Sequence, residues 1–362
     1  MKYLVSSILT LLFFSCNSTK NNDVTTYFGG QIINPKSNFV LFLKNDKIID
    51  TLTLDSNNRF INSYKSLSEG LYTFKHGIEF QYVYLEPKDS ILIRLNTWDF
   101  DESIVFTGNG SSKNEFLINL FLQNEKEEKA MFKYFSLNEK DFQFKIDSLA
   151  LKRESNFNEF KAHELNISEG FKNLTNSAIH FPLYRLKEIY PYYFKKAHKL
   201  SKFPKVSEKF YNYRKNISLN DENLLSFYPY RNYVINYLYN LSYQLKEKDS
   251  LKNNITINVL NAIVENVELE EFKNILLKGI IVEDFLKNPQ ILFIGINMNP
   301  DFQDIATEPN LNLLNLSKQY KLTKDSYAHQ FLTSRYPRTI LANKEGIVTN
   351  GFTYLDSPKF SS

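Results

Sequence analysis

The fold is decided at two neighbouring stretches. The first is Ile91-Leu92-Ile93-Arg94-Leu95-Asn96 and the second is Gly108-Asn109-Gly110-Ser111-Ser112-Lys113-Asn114-Glu115-Phe116-Leu117-Ile118-Asn119-Leu120-Phe121, and the hydrophobic period changes between them. In the first, Ile91, Ile93 and Leu95 point one way while Arg94 and Asn96 point the other, the two-residue period of a strand. In the second, Phe116, Leu117, Leu120 and Phe121 recur at helical spacing, and Ser112 with Glu115 has the spacing of a capping box. Strands are therefore expected before this junction and helices after it.

Upstream, residues 25–107 keep a period near two, with turn residues every 8–12 positions, as an all-β module requires. Phe39-Val40-Leu41-Phe42-Leu43 reads as a strand covered on both faces, and Asn45-Asp46 as the turn after it. In the strand that follows, Ile48, Leu52 and Leu54 are expected to share one face and Thr51 and Thr53 the other. The pattern returns at 71–75, 80–85 and 91–95, which predicts a small sandwich of seven or eight strands. Asp99-Phe100-Asp101-Glu102 is acidic, but it lacks the oxygen spacing and the turn glycine of a calcium loop and reads as a solvated loop. Gly108-Asn109-Gly110-Ser111-Ser112-Lys113 lies where backbone N–H groups could meet a phosphate, but it lacks the P-loop spacing.

Downstream, further helices are expected at 169–190, 206–215, 222–245 and 256–287, with Pro182 and Pro191 interrupting or ending the first of these. Glu125-Lys126-Glu127-Glu128-Lys129 reads as a solvated face. Aromatic residues are dense here: Tyr184, Tyr190, Tyr192, Tyr193, Phe227, Tyr228, Tyr230, Tyr233, Tyr237, Tyr239 and Tyr243. Helix packing with wet hydroxyls accounts for most of them, and a stacking platform for sugars or peptides is the alternative. The histidines at 76, 163, 180, 198 and 329 lack the i, i+4 spacing of a helical metal pair, and His180 reads as a satisfied core residue. No metal site, cofactor or catalytic residue is expected.

The chain has 362 residues, enough for two or three domains, and 44 Lys+Arg against 40 Asp+Glu leave a formal charge of +4 with no concentrated basic footprint for nucleic acid. It has one cysteine, which excludes an internal disulfide or a CxxC pair within this sequence. That cysteine, Cys16, follows Met1-Lys2, an apolar run over 3–14 that is too short to span a bilayer, and Ser15. The arrangement resembles a bacterial lipoprotein signal, although Phe13 stands where an aliphatic residue is usual. The resemblance implies a signal peptide over 1–15, lipidation of Cys16 and a polar tether over 16–24. The tether lacks the acidic cluster that resembles a surface-export signal, which favours the periplasmic face; the expected address is the cell envelope, at the outer membrane facing the periplasm.

At the other end, Gln290-Ile291-Leu292-Phe293-Ile294-Gly295-Ile296-Asn297 suits a buried parallel strand. Helical segments are expected near 311–320 and 326–334, then a strand–turn–strand hairpin over 336–352. These segments resemble the second half of a thioredoxin-like domain, with Pro337 at the position that is cis-proline in that family. With Thr26-Tyr27-Phe28-Gly29-Gly30, Leu85-Glu86-Pro87-Lys88-Asp89-Ser90 and Asn96-Thr97-Trp98-Asp99-Phe100-Asp101-Glu102-Ser103, the whole chain resembles the TlpA-like thioredoxin-domain envelope lipoproteins of Bacteroidota.

The resemblance implies a multi-domain α+β protein: a β-sandwich over 25–108, a helical domain over 109–287 and a truncated thioredoxin-like α/β segment over 288–362. The departure from the family is the missing CxxC half: residues 271–287 run directly into Asn288-Pro289, leaving no room for the reactive strand and helix. Thiol–disulfide exchange needs an attacking and a resolving thiol. The leading expectation is therefore a lipid-anchored envelope protein with a redox-inactive thioredoxin-like end, which binds or scaffolds an envelope protein or peptide. Two alternatives stay open. One is a thiol–disulfide oxidoreductase family member whose active-site segment is missing from this chain. The other is a glycan- or peptide-binding lipoprotein; the single tryptophan, Trp98, sits in the β domain and weighs against glycans.

Overall fold

The computed structural model describes residues 24–164, 166–248, 254–287, 294–297, 318–321, 339–342 and 348–353. The expectations for 1–15, Cys16 and Pro337 lie outside these residues, as does most of 288–362. The chain divides into two compact units: one holds residues up to Gln123 together with Phe160–Thr175, the other Asn124–Glu159 together with residues from Asn176 onward.

The first unit contains eight strands: β1 (Thr25–Ile33), β2 (Phe39–Lys44), β3 (Lys47–Thr53), β4 (Arg59–Lys65), β5 (Gly70–His76), β6 (Glu79–Leu85), β7 (Ser90–Asn96) and β8 (Val105–Asn109). They form two four-stranded sheets, in the orders β4-β1-β7-β8 and β3-β2-β5-β6. Among the described residues of this unit, only β1 and β7 pair in parallel. Their close approach depends on Gly30, because a Cβ there would lie 2.2 Å from the Ile93 carbonyl oxygen. Both sheets feed one core, in which Phe28 stacks on Phe42 at 4.9 Å and is joined by Phe60, Phe74, Val83, Ile91, Ile93 and Phe106. Asn45 and Asp46 turn β2 into β3 with φ of 48° and 61°, the left-handed pair that a two-residue hairpin favours.

Two strand expectations need correction. Ile48 is 59 % exposed rather than inward, because β3 carries one extra residue between its pairings Phe42↔Asp50 and Leu43↔Ile48. That bulge flips the phase of everything before it. In β2, Phe39 is exposed, so that strand is covered mainly on one face.

The helical region begins with α1 (Ser111–Met131), followed by α2 (Glu139–His163) and α3 (Glu169–Ala197). Since α1 starts at Ser111, Ser112 lies inside the first turn rather than capping it. At the junction Gly108 has φ of 97°, and a Cβ there would lie 1.8 Å from the Ser90 carbonyl oxygen. Pro182 and Pro191 neither end nor interrupt α3; both lie inside it. Pro182 removes the N–H that would have bonded the Ala178 carbonyl, and Asn124 Nδ2 donates to that carbonyl instead, at 3.4 Å.

The 206–215 segment is a 3-10 helix, Glu208–Asn216, whose N-cap Ser207 accepts from the Phe210 N–H. A 3-10 turn over Glu222–Leu224 precedes α4 (Tyr228–Lys248). The single helix expected over 256–287 is two, α5 (Ile255–Asn266) and α6 (Glu270–Lys287), broken where Val267 turns to extended backbone and Asn220 Oδ1 accepts the Glu268 N–H. None of the described helices is long and apolar enough to cross a membrane.

Beyond α6, β9 (Ile294–Asn297) pairs in parallel with β10 (Lys318–Lys321), and β11 (Thr339–Ala342) pairs antiparallel with β12 (Val348–Thr353). β10 occupies the end of the segment expected to be helical near 311–320; there the ladder with β9 overrides the local periodicity.

Candidate functional site

A concave feature among the described residues is a cleft in the second unit. α3 contributes Arg185, Glu188, Ile189, Tyr192 and Tyr193, and α4 contributes Asn236, Tyr239, Asn240 and Tyr243, with Phe203 on the connecting loop; the cleft volume is about 180 Å³. The positions run i, i+3, i+4, i+7 along both helices, so each presents one face. Phe203 and Tyr243 stack at 5.5 Å, 7° from parallel, and Tyr192 closes on Tyr243 at 5.5 Å.

The base of the cleft is a saturated carboxylate. Glu188 has a fully buried side chain. Its Oε1 accepts from Tyr213 OH at 2.5 Å and Arg214 Nε at 2.8 Å; its Oε2 accepts from Asn240 Nδ2 at 2.7 Å and from Arg214 Nη2. Burial works against the Arg214 charge, but its bonds to Glu188 and the attraction between them outweigh this and hold its pKa above the ordinary arginine value. Burial and the Glu188 charge raise the Tyr213 pKa well above the usual phenol range. With four donors on two oxygens, Glu188 positions the cleft walls and has no lone pair to spare for a proton transfer.

Next to it Lys187 is 6 % exposed, its ammonium lying over the rings of Tyr213 at 4.3 Å and Phe210 at 4.5 Å. Burial lowers its pKa to about 8, against the attraction of Asp147 and Glu188. At the rim, Arg185 Nη1 pairs with Glu128 Oε1 at 2.6 Å, while its buried Nε has no acceptor among the described residues.

The aromatic residues named from the sequence divide. Tyr190, Tyr230, Tyr233 and Phe227 go into cores, Tyr192, Tyr193, Tyr239 and Tyr243 line the cleft, Tyr184 and Tyr237 are half-buried outside it, and Tyr228 is exposed. Sequence reading missed Arg185, Asn236, Asn240 and Phe203. The missed signal was the i, i+3, i+4, i+7 stripe Asn236, Tyr239, Asn240 and Tyr243 on α4, where a core stripe would be aliphatic.

Other candidates resolve into structural roles. Glu127 and Glu128 are not a solvated face: Glu127 Oε2 accepts from Arg153 Nε and Nη2 at 3.0 and 2.8 Å, and Arg153 is 1 % exposed. His180 is satisfied but only half-buried, between the Asn176 carbonyl and Glu154. The acidic loop is tied down by Gln81 Nε2 to Asp101 at 2.9 Å and by burial of Phe100. At the 108–113 segment the buried Asp89 carboxyl sits against Gly110, and Lys113 pairs with Glu86 at 2.7 Å, so the protein's own acids occupy that helix start. Among the described residues no cluster of three or more His, Cys, Asp or Glu is placed to hold a metal ion.

In comparison with known proteins, no family model, no curated protein and no solved structure matches this chain.

Proposed function

We propose that the chain is a lipid-anchored binding protein of the cell envelope, held by Cys16 at the outer membrane and facing the periplasm, with a redox-inactive thioredoxin-like end. In this reading the cleft between α3 and α4 takes a peptide or an extended segment of an envelope protein that carries an aromatic or apolar side chain. The supporting observation is that α4 turns Asn236, Tyr239, Asn240 and Tyr243 toward the cleft and α3 turns Tyr192 and Tyr193 toward it, beside the single aliphatic Ile189. Rings offer flat apolar area while their hydroxyls bond a backbone. Two features of the sequence support the rest: its single cysteine follows a signal-like apolar run, and Pro337 stands at a position that binds extended chain in the resembled family.

The same ring faces give a glycan reading some support, so the test includes both ligands. Calorimetric titration of the purified chain with a Phe-containing tripeptide and with maltotriose should show binding of the peptide. Tyr243→Ala and Phe203→Ala should each weaken it by about tenfold, from the lost ring contact and area. Peptide affinity unchanged in both variants, or binding of the sugar alone, contradicts the peptide reading.

A further inference from the structure

The outward face of the sheet β4-β1-β7-β8 has an unusual composition. Its register places Arg59, Ile61, Ser63 and Lys65 of β4 beside Gln31, Gly29, Tyr27 and Thr25 of β1. It continues through Ser90, Leu92 and Arg94 of β7 to Asn109, Thr107 and Val105 of β8. Ile61 is 64 % exposed, Val105 49 %, Tyr27 42 % and Leu92 41 %. The charges among these positions are Arg59, Lys65 and Arg94, all basic, with no acid among them. A solvated sheet face normally alternates signs and keeps apolar groups scattered; this one joins apolar area to a single sign of charge.

We infer that this sheet face lies on an anionic phospholipid surface, apolar side chains entering the headgroup region and Arg59 and Arg94 meeting lipid phosphates. The inference rests on the proposed anchor at Cys16 and adds an orientation to it. Charge complementarity favours the occupant, since a basic apolar face fits an anionic interface. Chain length supplies the second argument. β1 begins at Thr25, and the steps back to Cys16 span at most about 30 Å when fully extended. The tether therefore cannot carry β1, an inner strand of this sheet, farther from the bilayer than about the length of β1 itself.

Two reporters test it in the full chain, each in a Trp98→Phe background: Leu92→Trp on this face and Phe80→Trp on β6 of the other sheet, both at exposed positions. The protein is reconstituted into vesicles of phosphatidylcholine alone, or mixed with phosphatidylglycerol, each doped with a headgroup-level nitroxide quencher. The Leu92→Trp emission should be quenched in the mixed vesicles and much less in phosphatidylcholine, with Phe80→Trp unquenched in both. Adding Arg59→Glu and Arg94→Glu should lower the face-down population by about fivefold per basic residue removed. Equal quenching of both reporters, or none, overturns the inference. So does shielding of Leu92→Trp without lipid that tracks with dimer formation, which would make the face a protein interface. The mass of the N-terminal peptide, read on the same sample, reports acylation separately, so loss of the anchor reading and loss of the orientation are told apart.

Discussion

His76 is 2 % exposed, and its ring is used at both nitrogens: Nε2 accepts the Lys36 N–H at 2.8 Å, which leaves Nδ1–H to donate to the Phe39 carbonyl at 3.0 Å. Only the neutral imidazole can serve both partners, and burial lowers its pKa below the ordinary 6.5, despite the Phe39 bond. The unfolded chain therefore takes up the proton first as the medium is acidified. The contribution of His76 to stability is complete above about 6.5, declines as the pH falls through that value, and levels off below the folded-state pKa. Comparing urea unfolding of the native chain with His76→Asn across this range should show a steeper acid-side loss for the native chain. Parallel curves would mean the buried ring does not titrate as described.

At the scale of elements, the sheet edges need partners more than the core does. β6 is an edge strand, and both backbone groups of Tyr84 are satisfied by one side chain: Asn114 of α1 accepts the Tyr84 N–H at 2.7 Å and donates to its carbonyl at 2.8 Å. Asn114 is 1 % exposed, so water cannot replace it. Asn114→Ala leaves two buried backbone groups unpaired and should cost about 2–4 kcal/mol. Urea unfolding followed by the near-ultraviolet signal of the β unit measures this, and a loss under about 0.5 kcal/mol would contradict the assignment.

The elements also show where sequence reading succeeds and where it fails. The period-two runs and the switch at 108–116 are local, so a β module of seven or eight strands followed by helices was legible, whereas the break between α5 and α6 was not. The bulge that exposes Ile48 depends on pairing with β2, and α3 continues through Pro182 because Asn124, distant in sequence, accommodates the orphaned Ala178 carbonyl. Neither compensation leaves a local trace. The cleft was legible in part: its tyrosines were visible, but whether a ring faces the core or the cleft depends on how α3 and α4 face each other. The Glu188–Arg214 pair joins residues on two separate elements at no helical spacing, so no motif announced it.

At the scale of the whole molecule, a β unit carries a basic apolar sheet face and a helical unit carries a tyrosine-lined cleft, and the proposed lipid tether would hold them at a membrane surface. On the proposed reading, two or more acyl chains on Cys16, each contributing about 0.8 kcal/mol per buried methylene, would make the attachment effectively permanent. Intact-mass and N-terminal peptide mass spectrometry of the protein extracted from membranes tests this most directly. The expected product is a chain that begins at Cys16 and carries acyl chains on it. An uncleaved chain that begins at Met1 with a free thiol at Cys16 would contradict it.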